Sequence, residues 1–158
     1  QYNYGWNVDG WPGSEMRTYA NGAFFNNLPE DLSNVIIDTT VVSGHGNTSG
    51  ETNFTSTDKI YLLSAHEVWE DGASNKVSIV DTAYNQTRRL DYYKNLGVTT
   101  SSHSGAIKKN INGNASTWWL RAARSDSVGS FLTVSNYGYW SNISAVAAVG
   151  FVPAFRIG

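Results

Sequence analysis

The sequence contains no cysteine, one methionine and only three prolines among its 158 residues. The absence of cysteine excludes disulfide bonds, thiolate metal sites and a cysteine nucleophile. Charged residues are scarce at 15%, and a formal net charge of −2 leaves no basic stripe for nucleic acid or an anionic membrane. No apolar run approaches the roughly 20 residues that a membrane-spanning helix needs. The composition therefore predicts neither nucleic-acid binding nor membrane insertion.

Aromatic residues and glycine are abundant instead, with 6 Trp, 9 Tyr, 6 Phe and 15 Gly. A chain of this length supports one domain with a substantial hydrophobic core. We therefore predict a single domain over residues 1–158. Because the chain opens at Gln1 in a run rich in Tyr, Asn and Gly, we expect it to be the C-terminal piece of a longer protein.

The first third of the chain is predicted to be mainly helical. Ser14 is a suitable N-cap for a helix over residues 15–26, where apolar residues recur at helical spacing. Pro29, followed by two acidic residues, favours the first turn of a second helix that ends near Val35.

Two further helices are predicted from capping signals. Ser64 and Glu67 match a capping box, which begins a helix of one or two turns. Asp81 is predicted to cap a helix that ends at about Asn95, since Gly97 is a natural stop signal.

Strand patterns dominate the remainder of the chain. Residues 35–42 are β-branched and apolar, whereas residues 43–57 are rich in Gly, Asn, Ser and Thr and predict a long loop. Gly138 lies between two tyrosines and predicts a hairpin turn. Helices followed by a meandering antiparallel sheet predict an α+β domain with much irregular chain. The other predicted strands are residues 60–63, 118–121, 130–135, 139–141 and 151–157.

Candidate catalytic residues are few. Glu67 has the chemistry of a general base, but the capping box with Ser64 gives it a structural role. The three histidines, His45, His66 and His103, lack metal-ligand spacing and are expected to be solvated or locally hydrogen-bonded. No G-x-S-x-G motif is present, and no lysine follows the glycines at 44 and 46 at P-loop spacing.

Three aspartates at scattered positions carry the carboxylate oxygens that calcium prefers as ligands. They lack the paired acidic residues that a calcium site requires. We therefore predict no catalytic residue, no metal site and no cofactor. The three aspartates are Asp58, Asp81 and Asp126.

Several short motifs resemble those of a family of uncharacterised bacterial and phage domains. They are FTSTDKIYLLS at residues 54–64, WWLR at 118–121, GFVPAF at 150–155, and the early R-x-Y-x-N and L-P-E-D-L motifs at 17–21 and 28–32. This resemblance spans nearly the whole chain. It implies a C-type lectin fold, in the variant found in formylglycine-generating enzymes, and says less about activity.

The chain departs from this family pattern at two places. Ala122 and Ala123 follow WWLR where the family usually has Ser-Pro, and Phe151-Val152 replaces a common Val-Arg. Formylglycine-generating enzymes work through cysteines, and this chain has none. The resemblance therefore implies their architecture without their reaction.

The C-terminal segment over residues 125–149 is rich in Ser, Asn, Tyr and Ala, with Tyr137, Tyr139 and Trp140 around the predicted turn. This composition is typical of paratopes, in which Tyr and Trp supply contact area at low entropic cost. We predict a ligand-binding surface here. Its predicted residues are Ser125, Asp126, Ser127, Ser130, Ser135, Asn136, Tyr137, Tyr139, Trp140, Ser141, Asn142, Ser144 and Val146.

A scaffold is expected beneath this surface. Alternation along a strand would expose one of Trp118 and Trp119 as a stacking platform, but we interpret both as mainly core residues. With Trp118, the residues expected to support the surface are Leu120, Phe155 and Ile157.

The same segment resembles the variable region of proteins diversified by retroelements, which substitute template adenines chiefly in Asn codons. Substitution in an Asn codon cannot produce Lys, Glu, Gln, Met or Trp. Residues 1–117 contain five Lys, five Glu, two Gln and one Met, whereas residues 118–158 contain none of these four types. The resemblance implies a diversified segment in which Trp140 is a fixed position.

We therefore predict a non-catalytic domain on a bacterial cell surface or a phage virion, which presents its C-terminal segment to a protein or glycan ligand. One alternative is a lectin of fixed sequence that stacks sugars on Trp or Tyr. A second is a hydrolase that uses Glu67 or His66 in a pocket. A third is a structural spacer or a self-assembly domain in a surface array. The last hairpin could also be an ordinary one that closes the domain, with exposed Tyr and Ser residues that bind nothing.

Overall fold

The computed structural model describes residues 1–69 and 89–158. Over these ranges the protein has an α+β architecture of short helices and small antiparallel sheets, as the sequence predicts. The predicted cap Asp81 and the first part of its helix lie outside the described residues. Among the residues that are described, a helix begins only at Asp91 and ends at Asn95, because its N-cap, Leu90, is extended. The prediction of one helix that continues from Asp81 through residue 90 is therefore wrong.

The first helix begins where the sequence predicts it. Helix α1 spans Glu15–Tyr19, and the side chain of its N-cap, Ser14, accepts a hydrogen bond from the Arg17 amide. The chain then widens into a π-helical turn over Ala20–Phe24. Such turns are rare and often lie at positions under a specific structural demand; here the turn contains Asn21.

Three more short helices follow. Helix α2 spans Glu30–Ser33 directly after Pro29. Helix α3 spans Ala65–Val68, and both hydrogen bonds of the predicted capping box between Ser64 and Glu67 are present. Helix α4 is Asp91–Asn95, and a 3₁₀ turn covers Ser104–Ala106.

The strands pair in an antiparallel manner and form four small sheets in the described part of the chain. The largest is three-stranded and is built from the C-terminal third of the sequence. The strands are β1 (Ile36–Ile37) with β9 (Arg156–Ile157), β2 (Thr39–Ser43) with β3 (Phe54–Asp58), β4 (Lys108–Lys109) with β5 (Ala115–Ser116), and β6 (Trp118–Ala123), β7 (Ser130–Val134) and β8 (Trp140–Ser144) in that order.

Strand β3 corrects the prediction of a loop over residues 43–57. Its sequence, FTSTD, has no apolar alternation, yet Ser56 and Asp58 are buried. Hydrogen bonds to these two polar side chains replace the apolar contacts that a strand face usually makes. The predicted strand over residues 35–42 is likewise divided, because β1 and β2 pair with different partners.

Ile60, Leu62 and Leu63 are buried as predicted and Tyr61 is half-buried, but residues 60–63 do not form a regular strand. Only Tyr61 makes a bridge, with Ala154. The neighbouring backbone groups are bonded elsewhere: the Asn21 side chain accepts the Ile60 N–H, and the Leu63 carbonyl accepts the Arg121 N–H. The predicted strand over residues 151–157 is similarly reduced to β9.

The three-stranded sheet lies between two hydrophobic clusters, which explains the WWLR motif. Trp118 and Leu120 pack into a first cluster with residues such as Leu132, while Trp119 packs into a second with Phe131. Every residue of β6 is buried, because both faces of that strand are covered. The interpretation of both tryptophans as core residues is confirmed.

The expected scaffold role of Phe155 and Ile157 is wrong. Phe155 is 37% exposed and Ile157 is 66% exposed. Strand β9 pairs only with the two-residue strand β1, and neither side chain belongs to either hydrophobic cluster. Support for the C-terminal sheet comes instead from β6 and the clusters on its two faces.

A buried carboxylate holds α1 against β3. Asp58 Oδ2 accepts hydrogen bonds from Trp11 Nε1 at 3.0 Å and Ser56 Oγ at 2.7 Å, and its Oδ1 pairs with Arg17 Nε at 2.5 Å. Asn21 extends this network, since its side chain bonds to Asp58 and to the backbone at residues 59 and 60. Asp58 is therefore a structural residue.

A second buried pair connects the sheet to α3. Arg121 donates from Nε to the Val42 carbonyl at 2.8 Å, and from Nη1 to the Leu62 carbonyl at 3.0 Å and Glu67 Oε2 at 2.7 Å. The same Glu67 oxygen accepts the Ser64 N–H at 2.7 Å. This one carboxylate therefore completes the capping box and neutralises a buried arginine.

Candidate ligand-binding surface

The predicted ligand-binding residues all reach solvent, whereas β6, on the other side of β7 in the same sheet, is buried along its whole length. We call these residues the C-terminal surface. The exposed members are Asp126, Asn136, Tyr137, Tyr139, Ser144 and Val146, and the half-buried members are Ser125, Ser127, Ser130, Ser135, Trp140, Ser141 and Asn142.

The C-terminal surface has two ends joined by the edge strand β8. Strands β7 and β8 pair Ser130 with Ser144 at one end and Val134 with Trp140 at the other. With a rise of about 3.3 Å per residue, these ends lie roughly 13 Å apart. The hairpin turn forms the tip of the surface, and the loop before β7 with the residues after β8 forms its base.

The tip is a tight turn with an exposed tyrosine at its apex. The Ser135 N–H donates to the Tyr139 carbonyl at 2.7 Å, and Tyr137 is 73% exposed. Gly138 has a φ of +86°, and a Cβ there would lie 2.0 Å from the His103 carbonyl oxygen. The predicted turn glycine is thus required by both its backbone conformation and this close approach.

The base carries a polar network centred on Arg124. Its Nε contacts Asp126 Oδ1 at 2.5 Å, and its Nη1 donates to Asn142 Oδ1 at 2.8 Å. Arg124 therefore links the loop before β7 to the edge strand. The sequence analysis missed this residue, although it directly precedes the predicted segment and carries the charge opposite to that of Asp126.

A buried side chain from the N-terminal segment fixes the loop at the base. Asn7 is fully buried, and its Nδ2 donates to the carbonyls of Ser127 and Ser130, both at 2.8 Å. The Asn7 N–H donates to the Val128 carbonyl at 2.9 Å. Contacts across more than 100 positions carry no local signal, so the sequence could not reveal this anchor.

Exposed aromatic residues of the N-terminal segment lie beside the base. Tyr4 is 75% exposed and Trp6 is 60% exposed. The segment is tied to the base because the Asn3 N–H donates to the Ala145 carbonyl, and a Cβ at Gly5 would lie 3.7 Å from Val146. We call Tyr4 and Trp6 the N-terminal aromatic pair. They extend the C-terminal surface with apolar area that the sequence analysis missed.

Glu67 and His66 are neighbours on helix α3, whereas His45 and His103 lie in other segments of the chain. Glu67 occupies the capping box, and His66 is largely buried on the same helix. The rings of His45 and His103 lie within hydrogen-bonding distance of the nearby carbonyls of Gly46 and Thr100. Among residues 1–69 and 89–158, no three His, Asp or Glu side chains form a group that could hold a metal ion. No helix in those ranges is long and apolar enough to span a bilayer.

Comparison with known proteins identifies a family that covers the whole chain. Neither the curated proteins nor the solved structures contain a match. The family described as "Domain of unknown function (DUF6273)" matches residues 1–158. The chain therefore belongs to the DUF6273 family.

Proposed function

We propose that this domain is a non-catalytic binding module that presents its C-terminal surface to a protein or glycan receptor on a cell surface. The observation that carries this proposal is the division of the C-terminal sheet into two sets of residues. Strand β6 is wholly buried, while the Ser-, Asn- and Tyr-rich residues around β8 all reach solvent. The module would act on a bacterial cell surface or a phage virion.

Rigidity supports a binding role for this surface. The tip is held by Gly138 against His103, and the base is held by Asn7 and by the Arg124 network. A surface that is ordered before it meets its ligand loses little conformational entropy on binding. Exposed Tyr and Trp side chains add large contact areas with few rotatable bonds.

The fold that we propose is C-type lectin-like, in the variant of formylglycine-generating enzymes. Its support is the motif resemblance together with the short helices and small antiparallel sheets of an α+β domain. The cysteines through which those enzymes act have no counterpart in this chain. This fold assignment, without those cysteines, therefore favours a binding role over the reaction of formylglycine-generating enzymes.

We further propose that a retroelement diversifies the C-terminal surface. All of its residues except Trp140 are Ser, Asn, Asp, Tyr or Val, which substitution in an Asn codon can produce. Trp140 packs against the first hydrophobic cluster, so a fixed residue there serves the core. The Ser, Asn, Asp, Tyr and Val positions of the surface therefore fit diversification, whereas Trp140, which packs against the core, fits a fixed position.

Sequencing the genomic neighbourhood tests diversification. We expect a reverse-transcriptase gene beside a near-repeat of the 3′ end of this gene, with mismatches at template adenines in the codons of the C-terminal surface. A neighbourhood without the repeat, or a repeat whose mismatches fall equally in the codons of β6, would contradict it.

A glycan-binding lectin of fixed sequence is the second candidate, and the exposed N-terminal aromatic pair favours it because sugars stack on such rings. One assay separates the two receptor classes. The domain, tetramerised on fluorescent streptavidin, is incubated with intact, protease-treated and periodate-oxidised bacterial cells. Loss of binding after protease identifies a protein receptor, and loss after periodate identifies a glycan. Absence of binding to all of the cells tested would count against a receptor-binding role.

A further inference from the structure

A polar pocket of about 230 Å³ lies between β2, Tyr61 and β9. None of its lining residues belongs to the C-terminal surface, so it is a separate feature of the domain. Its lining residues are Thr39, Thr40, Val41, Val42, Tyr61, Glu67, Arg121 and Arg156.

One part of the pocket wall is rigid and electrically neutral. The Arg121 guanidinium is fixed by the Val42 and Leu62 carbonyls and forms an ion pair with Glu67 at 2.7 Å. These two opposite charges offset each other. Arg156 therefore supplies the uncompensated positive charge of the lining.

Two other polar side chains of the lining, Arg156 and Tyr61, can donate hydrogen bonds to a ligand. In the described part of the chain, neither the Arg156 guanidinium nor the Tyr61 hydroxyl makes a hydrogen bond or ion pair. Burial and the negative charge of Glu67 raise the pKa of Tyr61, an effect that the nearby Arg121 and Arg156 charges partly oppose. The hydroxyl therefore keeps its proton at neutral pH and can donate.

The edge of β2 adds a backbone donor. The Val42 carbonyl points away from β3, because it accepts a hydrogen bond from Arg121. Backbone groups alternate between the two edges of an antiparallel strand, so Thr40, two residues earlier, presents its N–H on the same edge as Val42. Thr40 also lines the pocket.

We propose that this pocket binds the carboxylate group of a small ligand, held by the Arg156 guanidinium and the Tyr61 hydroxyl. A singly charged anion matches the one uncompensated cation of the lining, whereas a doubly charged phosphate would face the Glu67 carboxylate with an excess of negative charge. The volume is below the roughly 300–1,000 Å³ of pockets for drug-sized molecules. It therefore suits a ligand the size of a sugar acid or an amino acid.

Titration with matched carboxylates and neutral analogues tests this proposal. The domain is titrated with D-glucuronate against D-glucose, and with N-acetylglycine against N-acetylglycinamide, while amide chemical shifts are followed by NMR. We expect at least one carboxylate to shift the Thr40 and Tyr61 amides in a saturable manner, with the neutral analogues at least tenfold weaker. Binding of glucuronate but not of N-acetylglycine would identify the ligand as a sugar acid. Binding of N-acetylglycine but not of glucuronate would identify it as an amino acid or a peptide terminus.

Two variants and a control locate the binding. Arg156→Gln should weaken carboxylate binding about tenfold, and Tyr61→Phe should weaken it severalfold. Lys109→Gln removes one exposed positive charge outside the pocket lining and should leave binding unchanged. The proposal is overturned if neither carboxylate binds better than its neutral analogue, or if Arg156→Gln and Lys109→Gln have equal effects. Arg156→Gln should not affect cell binding by the C-terminal surface, so the two proposals can fail separately.

Discussion

Replacement of Asp58 by alanine should lower the free energy of unfolding by about 3–5 kcal/mol. The Asp58 side chain is fully buried, and its carboxylate accepts hydrogen bonds from Trp11 Nε1, Ser56 Oγ and Arg17 Nε. The substitution would leave these donors without their acceptor, and a buried unpaired group incurs its full desolvation penalty. Because a typical domain has about 5–15 kcal/mol of stability, this loss is large enough to unfold a marginal protein.

Urea denaturation followed by tryptophan fluorescence measures this effect. Asp38→Ala is a suitable control, because the Asp38 side chain is 67% exposed and its ion pair with Lys59 is 3.5 Å long. The control should change the free energy of unfolding by less than about 1 kcal/mol. Similar losses for the two variants would show that Asp58 has no special structural role.

Replacement of Arg121 by alanine should have a comparable effect, of about 3–5 kcal/mol. Its guanidinium is 2% exposed, and its removal would leave Glu67, whose side chain is only 16% exposed, without its buried cation. The Val42 and Leu62 carbonyls would lose their donor as well. The three-stranded sheet, helix α3 and strand β2 would all lose the side chain that connects them.

Arg124→Ala is the matched control, because Arg124 directly follows the same strand but its side chain is 26% exposed and its partner, the Asp126 side chain, is 41% exposed. It should lower the free energy of unfolding by no more than about 1 kcal/mol.

A double-mutant cycle of Arg121→Ala and Glu67→Ala tests the ion pair itself. The two losses of stability should be less than additive, since either substitution alone already leaves its partner unpaired. Additive losses in Arg121→Ala and Glu67→Ala would contradict the ion pair as the source of the stability.

The local features of the fold were predictable from the sequence. The N-cap at Ser14, the capping box of Ser64 and Glu67, and the turn at Gly138 each depend on residues a few positions apart. Composition was sufficient to place the exposed Ser, Asn and Tyr residues on one continuous hairpin. Alternation places Trp118 and Trp119 on opposite faces of one strand, but both are buried because a hydrophobic cluster covers each face.

Features that depend on distant contacts were missed. Strand β3 lacks an apolar pattern because Asp58 is satisfied by Trp11 and Arg17, which lie some 40 positions earlier. Asn7 reaches the loop at the base of the C-terminal surface across about 120 positions. Phe155 was expected in the core on its apolar character alone, but its neighbouring strand β9 pairs only with β1.

Binding of the tetramerised domain to receptor-bearing cells tests the C-terminal surface most directly. Tyr137→Ala combined with Val146→Arg alters the tip and the base at exposed positions. It should reduce cell-bound fluorescence at least fivefold, because the first change removes an exposed aromatic anchor and the second places a charge in the proposed contact area. Tyr92→Ala combined with Ile111→Arg also replaces one tyrosine by alanine and one β-branched aliphatic residue by arginine, at positions that are 57% and 101% exposed and lie outside that surface. The account predicts full binding by this control pair. Equal binding by both double variants would contradict it.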